Sequence, residues 1–463
     1  MASELIPLKN KLAILAAGLL SFIGILVETS MNVTFPTLMR TMHVNIATVQ
    51  WLTTAYLLAV TIVMSATAFL LKRYSFRHLF LLSVLMCLLG SICAMTAQSF
   101  SMLLAGRLLQ AVATGISTPL MFQLVFTRIP HDQVGLYTGF ASVIVSLAPA
   151  LGPTYGGVLT SLWSWRAIFI GIVPLIIIVG LLGAYAIHGA ALGTHGQQFD
   201  LAGMVILALT FASIVLTFNN GGEHGFLSVQ FVVGVAISLV LSLAFDKYAQ
   251  HGPRHLFDYH ILHSIRLRQR LLQYFGLQFI NISLSFILPV FAQDVLHASP
   301  MASGLMLLPG AIVGAIFSPI AGKIYDRRGP NLPLILSAAC AALALALFAG
   351  STRILSVGSI GLFYTLLRIG FNTGFGTAVA DASTTVAGRQ KADQNAMFSM
   401  MQQFAGSLGT SVMAAVIAAT ALRQPATQAT ISGSQVDFGL LLAFALILLV
   451  SAILVRKLSA NQN

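Results

Sequence analysis

Leu147-Ala148-Pro149-Ala150-Leu151-Gly152-Pro153-Thr154-Tyr155-Gly156-Gly157 sets two prolines and three glycines inside an apolar stretch that runs from about Gly135 to Leu162. In water, an interior proline removes a hydrogen bond and clashes with the preceding turn, so such a run would end a helix. A stretch this long can instead cross a bilayer, where about 20 apolar residues suffice. There neighbouring helices re-satisfy the freed backbone groups, and small residues let two backbones come close. The run therefore reads as a bendable packing surface on a membrane helix.

Composition agrees. Of 463 residues, 57% are hydrophobic and 8% charged, with a mean hydropathy of +0.90, against about 25% charged for an ordinary soluble domain. The net charge of +12 would suit nucleic acid only if the basic residues shared one face or stripe, and here they fall mostly in short loops between apolar segments. Cys87, Cys93 and Cys340 all sit in apolar stretches without paired spacing and read as small apolar residues. Lys9 and Lys11 precede an apolar run that continues to about Phe35 without a small-residue cleavage site, so it reads as a first span rather than a signal peptide.

A window of about 20 residues gives spans near 12–35, 48–70, 78–98, 102–126, 135–161, 167–187, 201–219, 227–245, 271–293, 302–322, 332–350, 356–380, 394–421 and 436–455. Fourteen spans put both termini on one side. With that side cytoplasmic, eighteen of the 24 Lys and Arg residues fall inside and four (Arg40, Arg166, Arg353 and Arg423) outside, while Arg107 and Arg368 lie within spans. This segregation follows the positive-inside rule.

The longest polar interruption is about Lys247–Arg270, with His251, His255, His260 and His263. Their spacing keeps no single helix face and no Cys or Glu joins them, so the stretch reads as a solvated connector and not a metal site. Leu256–Arg270 mixes apolar and basic residues, a pattern suited to the inner membrane surface and its anionic headgroups. Ala68–Arg77 and Gly322–Asn331 occupy the same relative place in the two halves, and related halves are common in secondary transporters. No phosphate-binding G-x-x-x-x-G-K loop and no nucleophilic triad emerges, so nothing points to an enzyme, a cofactor or a metal.

Gly322, Asp326-Arg327 and Gly329 match the G-x-x-x-D-R-x-G signature of the major facilitator superfamily. Here glycine permits tight helix contact, and the aspartate can pair with a helix N-terminus or an arginine across the loop. Gly106-Arg107-Leu108-Leu109-Gln110 resembles the family's R-x-x-Q-G region, with Ala111 in place of its glycine. The opening run, through Pro149, Gly152, Pro153, Gly156 and Gly157, resembles the drug:proton antiporter motif. Trp165-Arg166, Phe199-Asp200-Leu201-Ala202-Gly203 and Leu308-Pro309 are similar to the fourteen-helix EmrB/QacA branch. Glu28-Thr29 and Asn32 to Pro36 look closer still to lincomycin-resistance-type members.

That resemblance, which covers nearly the whole chain, implies an all-α integral membrane protein of the major facilitator fold with 14 transmembrane helices. Its parts would be an N-terminal six-helix bundle (1–190), two additional helices (191–246), a cytoplasmic connector (247–270) and a C-terminal six-helix bundle (271–463). It also implies proton-coupled multidrug efflux of lipophilic, often cationic compounds by alternating access, in a bacterial cell membrane with both termini cytoplasmic. Implied partners are a small lipophilic substrate, protons and membrane lipids, with no nucleic acid. A monomer is expected, with nothing fixing the oligomeric state. An exporter of a physiological solute such as a lipid, amino acid or metabolite would share the same motifs, and a sensor without transport is a third class.

Coupling requires a titratable group within the membrane. Glu28 lies well inside the first span, where a lipid-facing charge costs at least about 2.5 kcal/mol, and it could alternate between protonated and ionised forms as the cavity opens to each side. The commonest family pattern has Asp one position earlier, where this chain has Val27, about 100° away around the helix. Arg107 and Gln110 could modulate that carboxyl or hold water, and Asn32 follows Glu28 by one turn. In the second half Arg368 and Asn372 share a span, with Asp381 near its cytoplasmic end. Asp294 and Asp437 read as solvated residues near outer span ends. Gln278, Asn281 and Gln293 are polar points on the ninth span, and Phe275, Phe279, Phe286 and Phe291 on the same span could contact a lipophilic ligand.

Overall fold

The computed structural model describes residues 6–130, 134–188, 200–251, 259–386 and 390–460. Their regular structure is helical throughout. The first half contains α1 (Leu8–Met42), α2 (Ile46–Val49), α3 (Trp51–Arg73), α4 (Phe76–Met95), α5 (Phe100–Arg128), α6 (Val134–Leu162) and α7 (Ala167–Ala186). A pair follows, α8 (Leu201–His224) and α9 (Val229–His251). The second half contains α10 (Ile265–Asp294), α11 (Pro300–Leu305), α12 (Leu308–Arg328), α13 (Asn331–Ser351), α14 (Val357–Thr384), α15 (Lys391–Ala421) and α16 (Ala426–Ala460). Twelve of the fourteen expected stretches each fall largely on one of these helices, while 48–70 runs over α2 and α3 and 302–322 over α11 and α12. Among the described residues, 12 helical segments are long and apolar enough to cross a membrane, and the two remaining long helices are α6 and α14.

Local chemistry explains several helix starts. Ser75, Ser99, Asp200, Ser264 and Ser299 each accept a hydrogen bond from a backbone N–H three residues on, which satisfies a donor that the first turn leaves free. The Ser264 cap starts α10 at Ile265, so residues 265–270 of the expected connector are helical, and α9 likewise runs on to His251. Of the expected 247–270 connector, residues 252–258, with Arg254, His255 and Leu256, lie outside the described residues, as do Phe199 and Arg389.

In the first half, α1 packs against α5, α6 and α7, α4 lies against α5 and α7, and α3 lies on α5. In the second, α14 packs against α10, α12 and α13, and α16 against α10, α13 and α15. Asn10 Nδ2 donates to the Arg128 carbonyl (3.3 Å) and Arg128 Nη1 to that of Ala186 (3.3 Å), gathering the start of α1 and the ends of α5 and α7 at one end of the molecule. The halves meet at the opposite, distal end. There Gln293 Nε2 donates to the Val33 carbonyl (2.7 Å), Thr54 and Thr410 hydroxyls lie 2.7 Å apart, and Met301 N–H donates to Ser161 Oγ (2.9 Å). The Phe35 and Phe286 rings add an edge contact at 5.8 Å between α1 and α10.

The helix pair is not peripheral on both sides. On α8, Asn219 Oδ1 accepts from Gln50 Nε2 (3.2 Å) and Trp51 Nε1 (3.1 Å) of the first half. The Val215 carbonyl accepts from Ser411 Oγ of α15 (3.1 Å), and the Phe211 ring stacks on Phe404 at 3.9 Å. By contrast α9 packs mainly on α8 and leaves Val232, Val233, Ile237, Leu239, Val240 and Leu243 exposed, a surface suited to lipid.

Candidate functional site

Glu28 lies near the middle of α1 and is 4% exposed. Its carboxyl makes no hydrogen bond or ion pair among the described residues, though it lies within electrostatic reach of Arg107. Arg107, on α5, is fully buried. Its Nη1 donates to Gln110 Oε1 (2.8 Å), whose Nε2 donates to Ser91 Oγ on α4 (2.9 Å). The guanidinium carbon sits 4.1 Å from the centroid of the Tyr56 ring, a stabilising cation–π contact. Tyr56 in turn donates to the Gly24 carbonyl (3.1 Å), one turn before Glu28, and lies 2.7 Å from Thr114 Oγ1. Arg107 Nη2 is buried without a partner. A buried carboxyl and an incompletely satisfied guanidinium thus share one interior, unpaired. Tyr56, the residue that sequence reasoning missed, stands on α3, and nothing local in the sequence signals its place over Arg107.

The other expected residues divide by half. Asn32 Oδ1 accepts from Thr53 Oγ1 (2.8 Å), tying α1 to α3. Arg368 Nη1 donates to Asn281 Oδ1 (2.9 Å), its guanidinium lies 4.9 Å from the Phe371 ring centroid, and its Nε is buried without a partner. Asn372 Nδ2 returns to the Arg368 carbonyl (3.0 Å). No hydrogen bond among the described residues joins this second-half group to Glu28 or Arg107.

The Pro/Gly run packs beside Glu28. Ser30 Oγ donates to the Gly152 carbonyl (2.9 Å), and a Cβ on Gly156 would run into the Ser30 carbonyl oxygen and lie 2.9 Å from Ser30 Cα. Gly157 and Pro153 face the other way, onto Pro300 and Gly304 of α11. Backbone atoms cannot swing aside as a side-chain tip can, and overpacking costs about 1–3 kcal/mol. Gly156→Val is therefore expected to lower the thermal unfolding midpoint and transport together; an unchanged midpoint would mean that α1 and α6 tolerate separation.

At the terminus-bearing end, Gly329 ends α12 at φ +73°, a conformation that favours glycine. Asp326 and Arg327 are exposed there, and Gly322 has open space where a side chain would go. The signature residues thus stand exposed at the end where, among the described residues, no hydrogen bond joins the two halves.

Three carboxylates depart from expectation or add to it. Asp437 is fully buried with neither carboxylate oxygen partnered, not solvated near a span end, because α16 begins at Ala426, well before the expected start at 436. Asp381 is clamped by two arginines of α10: Arg266 by a two-pronged pair, and Arg270 through Nε at 2.6 Å. Asp294, at the end of α10, is half-buried rather than freely solvated.

The sequence profile of the Major Facilitator Superfamily matches residues 17–410. The chain belongs to that superfamily. Among its relatives, the lincomycin resistance protein LmrB of Bacillus subtilis (strain 168) is 28% identical over 97% of this chain and 96% of its own length. A multidrug resistance protein B homolog of Mycobacterium tuberculosis (strain ATCC 25618 / H37Rv) is 27% identical over 80% of this chain and 69% of its own. In fold, the chain is similar to a bacterial homolog of the human lysosomal transporter Spinster in an inward-facing, unoccupied conformation, with a TM-score of 0.69, 15% identity and coverage of 96% of this chain and 97% of that one. The superfamily member is thus a multi-pass membrane transporter and not an enzyme.

Proposed function

We propose that this transporter exports lipophilic, often cationic compounds across a bacterial cell membrane in exchange for protons. The observation that carries the reading is the unpaired, buried Glu28 beside Arg107, a carboxyl free to take up and release a proton as its surroundings change. The names borne by its lincomycin- and multidrug-resistance relatives support the substrate class. In this reading all fourteen long helices cross the bilayer with both termini cytoplasmic, and residues 1–190 and 271–463 form two bundles that rock about the Glu28 level. Residues 191–246 supply the added pair and 247–270 the connector. Contact between the halves at the distal end, together with an exposed Asp326, supports a state open to the cytoplasm in this reading.

Gly322, Asp326, Arg327 and Gly329 would engage when that side closes, while Pro149, Gly152, Pro153, Gly156 and Gly157 hold the distal seal. Asn32, Gln110, Arg368 and Asn372 would line or support the path. The test is efflux from reconstituted vesicles across lipophilic cations, lincosamides and neutral amphiphiles under an imposed proton gradient. Lipophilic cations should move uphill and stop moving when a protonophore is added. Transport confined to a hydrophilic metabolite, or unaffected by the protonophore, would overturn the reading.

A further inference from the structure

Three arginines stand on the first two turns of α10, and they do not behave alike. Arg266 and Arg270, four residues apart on one face, are both held by Asp381. Arg268 lies between them in sequence and about 200° around the helix from each. It is exposed and has no ion pair or hydrogen bond among the described residues. It lines a groove of about 360 Å³ whose other walls are Leu262, Leu271, Leu272, Phe275 and Met401. Every other lining residue is apolar and Arg268 contributes its aliphatic stem, so an exposed, unneutralised guanidinium stands at the rim of an open apolar groove that runs along the helix for about 10 Å, seven residues at 1.5 Å each.

A soluble anion would gain nothing from that slot, and a neutral lipophile nothing from the guanidinium. An anionic amphiphile satisfies both, and a basic pocket between helices at a membrane surface is a recognised setting for lipid headgroups. The geometry points to a binding site for one anionic phospholipid of the leaflet at the terminus-bearing end, with its phosphate on Arg268 and an acyl chain between α10 and α15. The site is independent of the transport reading, because Arg268 neither touches Glu28 nor depends on it.

The test uses the full chain in detergent, with phosphatidylglycerol and phosphatidylcholine of matched chains supplied in equal amounts and the retained lipid counted by native mass spectrometry. One phosphatidylglycerol should be retained in preference to phosphatidylcholine by about tenfold, as a charge-assisted hydrogen bond would give. Arg268→Gln should abolish the preference, Arg268→Lys should keep most of it, and Arg353→Gln, an exposed arginine at the distal end, should leave it intact. Millimolar inorganic phosphate should not displace the lipid. An unchanged preference in Arg268→Gln, or an equal loss in Arg353→Gln, would overturn the site. Displacement by phosphate would overturn the lipid assignment in favour of a headgroup-only anion site.

Discussion

Glu28→Gln is expected to cut uphill export by at least about 100-fold, the lower end of what a positioned proton-transfer group contributes. Glutamine has nearly the same shape and keeps its hydrogen-bonding capacity but cannot exchange a proton, so ligand contacts at α1 should survive. Gradient-independent exchange of labelled substrate should therefore continue while accumulation against a gradient fails. That split separates a coupling role from a structural one, which would lower both rates together. The neighbouring residues favour this outcome, since Arg107 is already committed to Gln110 and Tyr56 and does not need the carboxylate to hold its place. Uphill export at the wild-type rate by the Gln variant would remove Glu28 from the coupling step.

Asp381→Ala is expected to cost about 3–5 kcal/mol of stability, the range for removing one member of a buried ion pair. Asp381 and Arg270 are each 1% exposed, so the variant strands the Arg270 guanidinium in the interior with no acceptor for its Nε. The thermal unfolding midpoint in detergent should fall markedly. The pair Arg270→Met with Asp381→Leu should recover much of the loss, because two apolar side chains of suitable volume avoid the cost of desolvating charge. A single variant with an unchanged midpoint would mean that Arg266 and Arg270 find another acceptor.

How much of this could be read in advance depended on the range of the interaction. Apolar stretches locate helices because burial in lipid is a property of each segment, and α4, expected near 78–98, is found at Phe76–Met95. Helix ends were harder, since a hydropathy window blurs a polar first turn: the Ser264 cap and the early start of α16 were both missed. Asp437 was misplaced for that reason alone. The chemistry of Arg107 could be anticipated from its type and depth, but its stacking on Tyr56 could not, because those residues approach only once α3 lies on α5. The hold of Arg266 and Arg270 on Asp381 spans more than a hundred residues and leaves no local trace.

The two long seams between the halves are closed by different means. Along one, α6 meets α11 mainly through glycine and proline backbones, and the side-chain hydrogen bonds across it among the described residues are those of Ser161 Oγ with the Met301 N–H and of Thr154 Oγ1 with the Gly304 carbonyl. Along the other, α8 straddles the join, hydrogen-bonded through Asn219 to α3 and through Val215 to α15. In the proposed cycle, opening of the distal end would therefore be lopsided, like a book strapped along one edge, with the α6 side parting before the α8 side.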